Sequence, residues 1–398
     1  MSLHAYPAAW AYNDAQRAAA QRWQQRGLLT PAQRAAIDAA HPVNYYQPVV
    51  LLRVGLLVAT WLGGLSAALL LGVITEFHGG VLPYCLVMLA GTLLMLELTI
   101  RGSNHYHSGV DNALLYGALC AWAVLLTYCI EQLAPNRHVS DWLLGEPLLW
   151  FLLLVAAVPA LLRYADPLVA AVVFASALLL LVNVLLQIPF GRLLLPFAVM
   201  ATAAGLHAWL RTLSARPDYF YYRSCILTLR TLALATIYLA SNYLVVRQGN
   251  AALLGWYAYQ GSSPQIPLAP LFYVLTAGMP LVYIGLGLRR HDRLLLGLGL
   301  LAVAFSLYTL RYYRAVLPPE VAATLGGLLL IALALVVLRY LRTPRHGFTT
   351  APDDAQNPHF NLESLLVAQT AHVAAAPPEA GLQFGGGHSG GGGAEGRF

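Results

Sequence analysis

The run His105-Tyr106-His107-Ser108-Gly109-Val110-Asp111-Asn112 gathers two imidazoles, a hydroxyl, a carboxylate and a carboxamide, the densest group of chemically capable side chains in the chain. Histidines two apart share a side only in extended chain. Imidazole nitrogens with carboxylate oxygens suit Zn²⁺ or a similar ion, so His105, His107 and Asp111, with Glu97 as an added oxygen donor, form a candidate metal or proton site. The same residues also have an ordinary use. Ser108 or Asp111 would cap a helix starting near residue 110, Asn112 would hydrogen-bond into a bundle, and the histidines would sit among lipid headgroups.

Four further polar residues fall inside apolar stretches: Arg53 opens the first, Glu97 ends the second, His207 lies near the end of the sixth and Arg230 follows the start of the seventh. A charge in lipid costs about 3 kcal/mol or more, so it pairs or lines water. Arg53 and Glu97 each lie about one helical turn in from the same side, which makes an Arg53–Glu97 ion pair the first expectation. Together Arg53, Glu97, His105, His107, Asp111, Asn112, His207 and Arg230 form a candidate binding cluster on one side of a membrane. No cofactor is expected, and no nucleophile elbow, phosphate-cradling glycine loop or HExxH is present.

The elements that must carry these residues are helices in lipid. The chain is 59% hydrophobic and 10% charged, and a water-facing surface needs far more charge than that. About ten apolar stretches reach spanning length, at 49–75, 81–100, 110–130, 147–162, 167–188, 193–210, 224–246, 268–288, 294–310 and 321–338. Backbone polar groups in lipid need internal partners, so the fold expected is an all-α polytopic bundle. Residues 1–47 form an N-terminal domain, 48–342 the bundle and 343–398 a tail.

The cations are all arginine, and they alternate in density from loop to loop. With the N-terminus inside, sixteen fall on inner segments and five (Arg137, Arg192, Arg247, Arg311 and Arg314) on outer loops. That asymmetry places both termini in the cytoplasm. Tyr45, Tyr46, Tyr219, Tyr221 and Tyr222 fall at the inner interface, as an aromatic belt would.

The N-terminal domain reads as a helical hairpin: residues 13–26, a stop at Gly27, then a restart at Thr30-Pro31-Ala32-Gln33, which is a capping-box pattern. Trp23, Leu28, Leu29 and Ile37 would form its apolar seam. Four arginines there are too few for a DNA-binding motif, so no nucleic-acid partner is expected. Beyond Arg345, Asp353 and Asp354 begin a polar linker and residues 384–398 are too rich in glycine to hold one fold. The partners expected are the lipid bilayer and, through hairpin or tail, a cytoplasmic protein. Cys85, Cys120, Cys129 and Cys225 lie in or beside apolar stretches without paired spacing, as small packing residues would.

The Gly-Leu-Leu-Thr-Pro-Ala-Gln hairpin, Tyr45-Tyr46, Arg53 at the opening of the first span and about ten spans together resemble a group of uncharacterised bacterial multi-pass membrane proteins. The resemblance implies a short N-terminal helical segment before a bundle in the bacterial inner membrane, and it supplies no catalytic residues. Three functions follow from the residues: a non-enzymatic scaffold or sensor, a transporter of a small solute or proton through Arg53, Glu97, Arg230 and His207, and an enzyme on a lipid-linked substrate. The last requires Glu97, His105, His107 and Asp111 to converge on a cavity.

Overall fold

A computed structural model describes residues 4–74, 80–133, 147–213, 216, 219–255, 263–290, 292–313 and 319–340. The expectations for the tail, and for most of the connection between 255 and 263, lie outside these residues.

The described elements are helices in a simple order: α1 (Ala8–Gln25), α2 (Pro31–Ala40), α3 (Val50–Ile74), α4 (Val81–Ser103), α5 (Val110–Leu133), α6 (Pro147–Tyr164), α7 (Pro167–Leu186), α8 (Gly191–Leu213), α9 (Tyr219–Ser241), α10 (Tyr243–Leu253), α11 (Ala269–Arg290), α12 (Arg293–Tyr313) and α13 (Pro319–Tyr340). Among the described residues nine of them are long and apolar enough to cross a membrane, and α13 occupies the place expected for a tenth. The protein is therefore an integral membrane protein with an α-helical bundle.

The hairpin forms as its punctuation dictates. Gly27, at φ 73°, ends α1 with backbone bonds from its own amide to the Gln24 carbonyl and from Leu28 to the Trp23 carbonyl, the paired closure that a left-handed glycine permits. Thr30 and Gln33 then exchange both bonds of a capping box. Leu29 and Ile37 are buried as expected, whereas Leu28 remains exposed because the turn directs it outward.

Tight hairpins join α4 to α5, α6 to α7, α8 to α9 and α11 to α12. Between α6 and α7 the link is only Ala165 and Asp166: Ala165 adopts φ 47° beyond the last turn, and Asp166 caps α7 ahead of Pro167. In the α11–α12 hairpin, a Cβ on Gly287 would meet the Leu296 amide at 2.8 Å and one on Gly299 the Ile284 side chain at 2.9 Å. These are the glycines that let helices approach, since a Cβ on Gly63 or Gly64 would meet open space. Gly63 and Gly64 lie on the outward face of α3.

The bundle is organised around α9, which packs against α1, α7, α8, α11 and α12. Of its most apolar window 39% is buried, against none for α3, which is exposed almost all round. The largest apolar core collects where α9 begins, with Tyr6, Tyr45, Leu96, Ile100, Tyr106, Tyr164, Tyr221 and Cys225. That end of the bundle also carries Arg101, Arg163, Arg211, Arg223, Arg289, Arg290 and Arg293.

One expected span is interrupted. The stretch 224–246 is not continuous, because Asn242 takes an extended backbone (φ −82°, ψ 126°) and its Oδ1 accepts from the amides of Leu244 and Val245, capping a separate helix, α10. Its Nδ2 donates to Tyr238 Oη and Thr309 Oγ1, both at 3.1 Å, and the residue is wholly buried. Apolar content alone cannot register a break made by one side chain satisfying the backbone.

Candidate functional site

The 104–112 connection is a wound turn. Asn104 (φ 50°), His107 (φ 47°) and Gly109 (φ 100°) all occupy the left-handed region, which is uncommon for residues other than glycine and persists only when neighbours hold it. Gly109 cannot be replaced without displacement, since a Cβ there would lie 2.2 Å from the Arg53 carbonyl oxygen. The turn is therefore wedged against the first turn of α3.

Asp111 holds the turn from inside. It is 1% exposed, and its Oδ2 accepts from the His107 amide at 2.8 Å and from the Tyr6 hydroxyl at 2.6 Å. Its Oδ1 accepts from the Ser108 amide at 2.8 Å and the Ser108 hydroxyl at 3.0 Å. Two bonds to each oxygen is what a buried carboxylate requires. Next to it, the Asn112 carboxamide donates to Asp166 at 2.5 Å and accepts from the Gly109 amide at 3.2 Å. Asp166 also receives the Tyr116 hydroxyl and two amides of α7. Asp166 is an unforeseen member of this network; its position just before Pro167 signals a helix cap, and nothing in the sequence signals its contact with α5.

The histidines do not converge. His105 packs edge-on against Tyr46, whose backbone pairs with residues 104 and 106, while His107 lies between Tyr6 and Tyr106. Among the described residues no three His, Cys, Asp or Glu side chains come close enough to hold a metal. Burial first, and the nearby Arg53 charge further down, lower the His107 pKa, against the opposing pull of Asp111 and Asp166. Burial and then Asp111 raise the Tyr6 phenol well above its usual range.

The expected Arg53–Glu97 pair is replaced by another. Glu97 Oε1 accepts from Arg163 Nη2 at 2.7 Å, Arg163 Nε at 2.9 Å and the Tyr164 hydroxyl at 2.8 Å, while Arg101 lies 3.2 Å from Oε2. The reason is packing. Helices α3 and α4 touch near their own connection, where Tyr84 donates to the Ala68 carbonyl, but at the other end α3 leans on α5 and the Gly109 turn. Glu97 therefore meets α6 instead of α3. Arg53 Nε is buried without a hydrogen-bond partner.

The N-terminal segment docks on this assembly. The Ala5 amide and the Tyr221 hydroxyl both donate to the Arg163 carbonyl, at 2.9 and 2.5 Å. His4 stacks on Tyr221 at 4.3 Å, Trp10 packs on Tyr45 and Tyr106, and Tyr12 meets Phe220 edge-on. The run Tyr219 to Tyr222 thus serves as a seat for the chain before and within α1.

The same run borders a second polar feature. A cavity of about 540 Å³ opens between the ends of α8 and α11 and the starts of α9 and α12, lined by His207, Arg211, Tyr219, Arg230, Arg290 and Asp292 among others. Arg230 donates to Asp292 at 2.6 Å, and Asp292 also caps α12 through the amides of Leu294 and Leu295. Of the candidate cluster, the structure therefore brings His207 and Arg230 together here and leaves Arg53, Glu97, His105, His107, Asp111 and Asn112 around the docking turn. Asp292, partner to Arg230, is a residue that a reading of apolar stretches passes over because it sits in a short loop.

Scans against family models, curated proteins and solved structures find no match to this chain.

Proposed function

We propose that this integral membrane protein is a non-enzymatic sensor or scaffold of the bacterial inner membrane, with both termini cytoplasmic and the N-terminal hairpin as its reporting element. The observation that carries the reading is the Tyr6–Asp111 bond at 2.6 Å, made to a carboxylate that is 1% exposed. A segment that served only as a tether would not be built into the buried polar network of the bundle. Against an enzyme stands the state of three of its acids: Asp111, Asp166 and Glu97 each have their oxygens filled by protein donors, which leaves none of these three aimed at a substrate. The arginine-rich end that receives the hairpin is the end the positive-inside rule assigns to the cytoplasm.

A second reading, a small-solute transporter, draws on the break at Asn242, because interrupted helices mark solute sites in many carriers. Pro159, Pro196 and Pro280 inside α6, α8 and α11 suit it too. Vesicles reconstituted with the protein separate the two. The sensor reading expects no flux of protons or phosphate above empty vesicles, whereas flux that Asn242→Ala abolishes would replace it with the transporter. Reporter fusions after Arg216 and after Gly261 test the orientation: the first should report cytoplasm and the second the opposite side.

A further inference from the structure

We infer that the cleft between the start of α8, α10 and the start of α11 seats one acyl chain of an anionic phospholipid, with the phosphate of that lipid at Arg192. The cleft has a volume of about 250 Å³ and is walled by Phe190, Leu193, Val246 and Phe272 among others, with Arg192 and Asn250 as its polar side chains. It lies at the end of the bundle opposite the arginine-rich one, where α7 ends and α8 and α11 begin.

Local chemistry builds the cleft. A Cβ on Gly191 would overlap the Leu185 carbonyl oxygen, so α8 starts hard against the end of α7. Pro196 then lacks the amide that would bond the Arg192 carbonyl, which leaves the first turn of α8 without that tie. The facing wall exists because Asn242 sets α10 apart from α9: Val246 and Asn250 both belong to α10. Phe272, 2% exposed and packed on Phe197 with ring centres 5.7 Å apart, backs the cleft. Apolar walls inside a bilayer are filled by hydrocarbon. A whole small ligand needs about 300–1,000 Å³, so this cleft takes a segment of one chain and the headgroup stays at the mouth.

Charge names the headgroup. Among the described residues neither the guanidinium nor the amide of Arg192 makes a hydrogen bond or ion pair. Arg247, on α10 at the same end, is the contrast: it donates to the Ser263 carbonyl and the Tyr243 hydroxyl and lies over the Tyr313 ring. The neighbouring connection 256–262 lies outside the described residues and contains no Asp or Glu. A guanidinium matches phosphate oxygens with parallel bonds, and the Arg192 amide belongs to the first turn of α8, whose donors have no helical acceptor. Asn250 adds a neutral carboxamide donor. Phosphatidylcholine carries its own cation beside the phosphate, whereas phosphatidylglycerol does not, and that difference sets the preference. The inference needs only that the bundle lies in a membrane and is independent of the sensor reading.

The test uses the full chain in nanodiscs of phosphatidylcholine alone and of phosphatidylcholine with phosphatidylglycerol. Thermal stability reports binding, and native mass spectrometry of protein released from the discs reads which lipid stays bound. The wild type should melt higher in the mixed disc and retain phosphatidylglycerol over phosphatidylcholine. Arg192→Gln should weaken that retention about 10-fold, the worth of one hydrogen bond to a charged group, and should melt as the wild type does in phosphatidylcholine alone. Val246→Phe, which fills the cleft and leaves Arg192 in place, should lose the lipid too. Equal retention by the wild type and Arg192→Gln overturns the assignment. So does an Arg192→Gln variant that melts lower by the same amount in both discs, because Arg192 would then be held by a carboxylate of the chain. Glycerol phosphate added to the phosphatidylcholine disc should shift nothing; a shift equal to that of phosphatidylglycerol, or retention by Val246→Phe, overturns the acyl cleft.

Discussion

The hydroxyl of Tyr6 donates to a carboxylate oxygen of Asp111 at 2.6 Å, closing 105 residues of chain into one buried contact between the N-terminal segment and the first turn of α5. Through Asp111 the segment reaches the 104–109 turn, and through the Ala5 amide it reaches the end of α6. Docking and bundle geometry are therefore one structure.

Tyr6→Phe should test the strength of that link with minimal change of shape. Loss of a hydrogen bond to a charged group costs about 1.5–3 kcal/mol. Limited proteolysis should show residues 4–25 becoming susceptible while the spans stay protected; unchanged resistance would mean that the aromatic packing around Trp10 and Tyr106 suffices alone.

Gly109→Ala should be among the most damaging single-methyl changes in the protein. The left-handed backbone alone costs about 1–3 kcal/mol for a residue with a side chain, and the new Cβ would overlap the Arg53 carbonyl. Gly102→Ala, with nothing within 4 Å of its added carbon, is the matched control. Thermal unfolding in detergent should separate the two by several degrees, and equal behaviour would place α3 away from the turn.

Charge exchange distinguishes the observed partner of Glu97 from the expected one. Glu97→Arg should destabilise the protein, Arg163→Glu added to it should restore part of the loss, and Arg53→Glu added to it should restore none. Rescue by Arg53→Glu instead would contradict the Arg163–Glu97 ion pair.

The turn should respond to acid through His107. Its folded pKa lies below the ordinary 6.5, mainly because burial disfavours the charged form. The folded state then binds fewer protons than the released turn, so the docking contribution is complete above pH 6.5 and declines as pH falls below it. Protease susceptibility of residues 4–25 should rise in that window, and His107→Gln should flatten the response.

Asn242→Ala removes a cap worth about 1 kcal/mol and the bonds from Asn242 to Tyr238 and Thr309, which keep their bonds to Ala302, Ser306 and Phe305. The melting temperature should fall, whereas Asn242→Asp should retain the cap. An unaffected alanine variant would argue that α9 and α10 join without help.

What the sequence made legible follows from what is local. The capping box at Thr30 and Gln33, the stop at Gly27 and the places of nine apolar helices depend on neighbours within a turn or two, and these stand among the described residues, with the stretch 224–246 broken at Asn242. The pairing of Glu97 does not: it depends on which helix lies beside α4, and apolar stretches of similar length carry no record of that. The break at Asn242 was hidden for a related reason, since one carboxamide satisfying backbone amides leaves hydropathy unchanged. Asp166 and Asp292 escaped notice because each sits in a short loop, where a lone aspartate reads as a cap. Both are caps, and both hold a second partner from a different helix.

The most direct test of the account is hydrogen exchange of the wild type and Tyr6→Phe in nanodiscs. If the hairpin is latched to the bundle through Asp111, the amides of residues 4–25 and 105–109 are protected in the wild type and lose protection together in the variant, with α7 unchanged. Free exchange across residues 4–25 in the wild type would contradict the account.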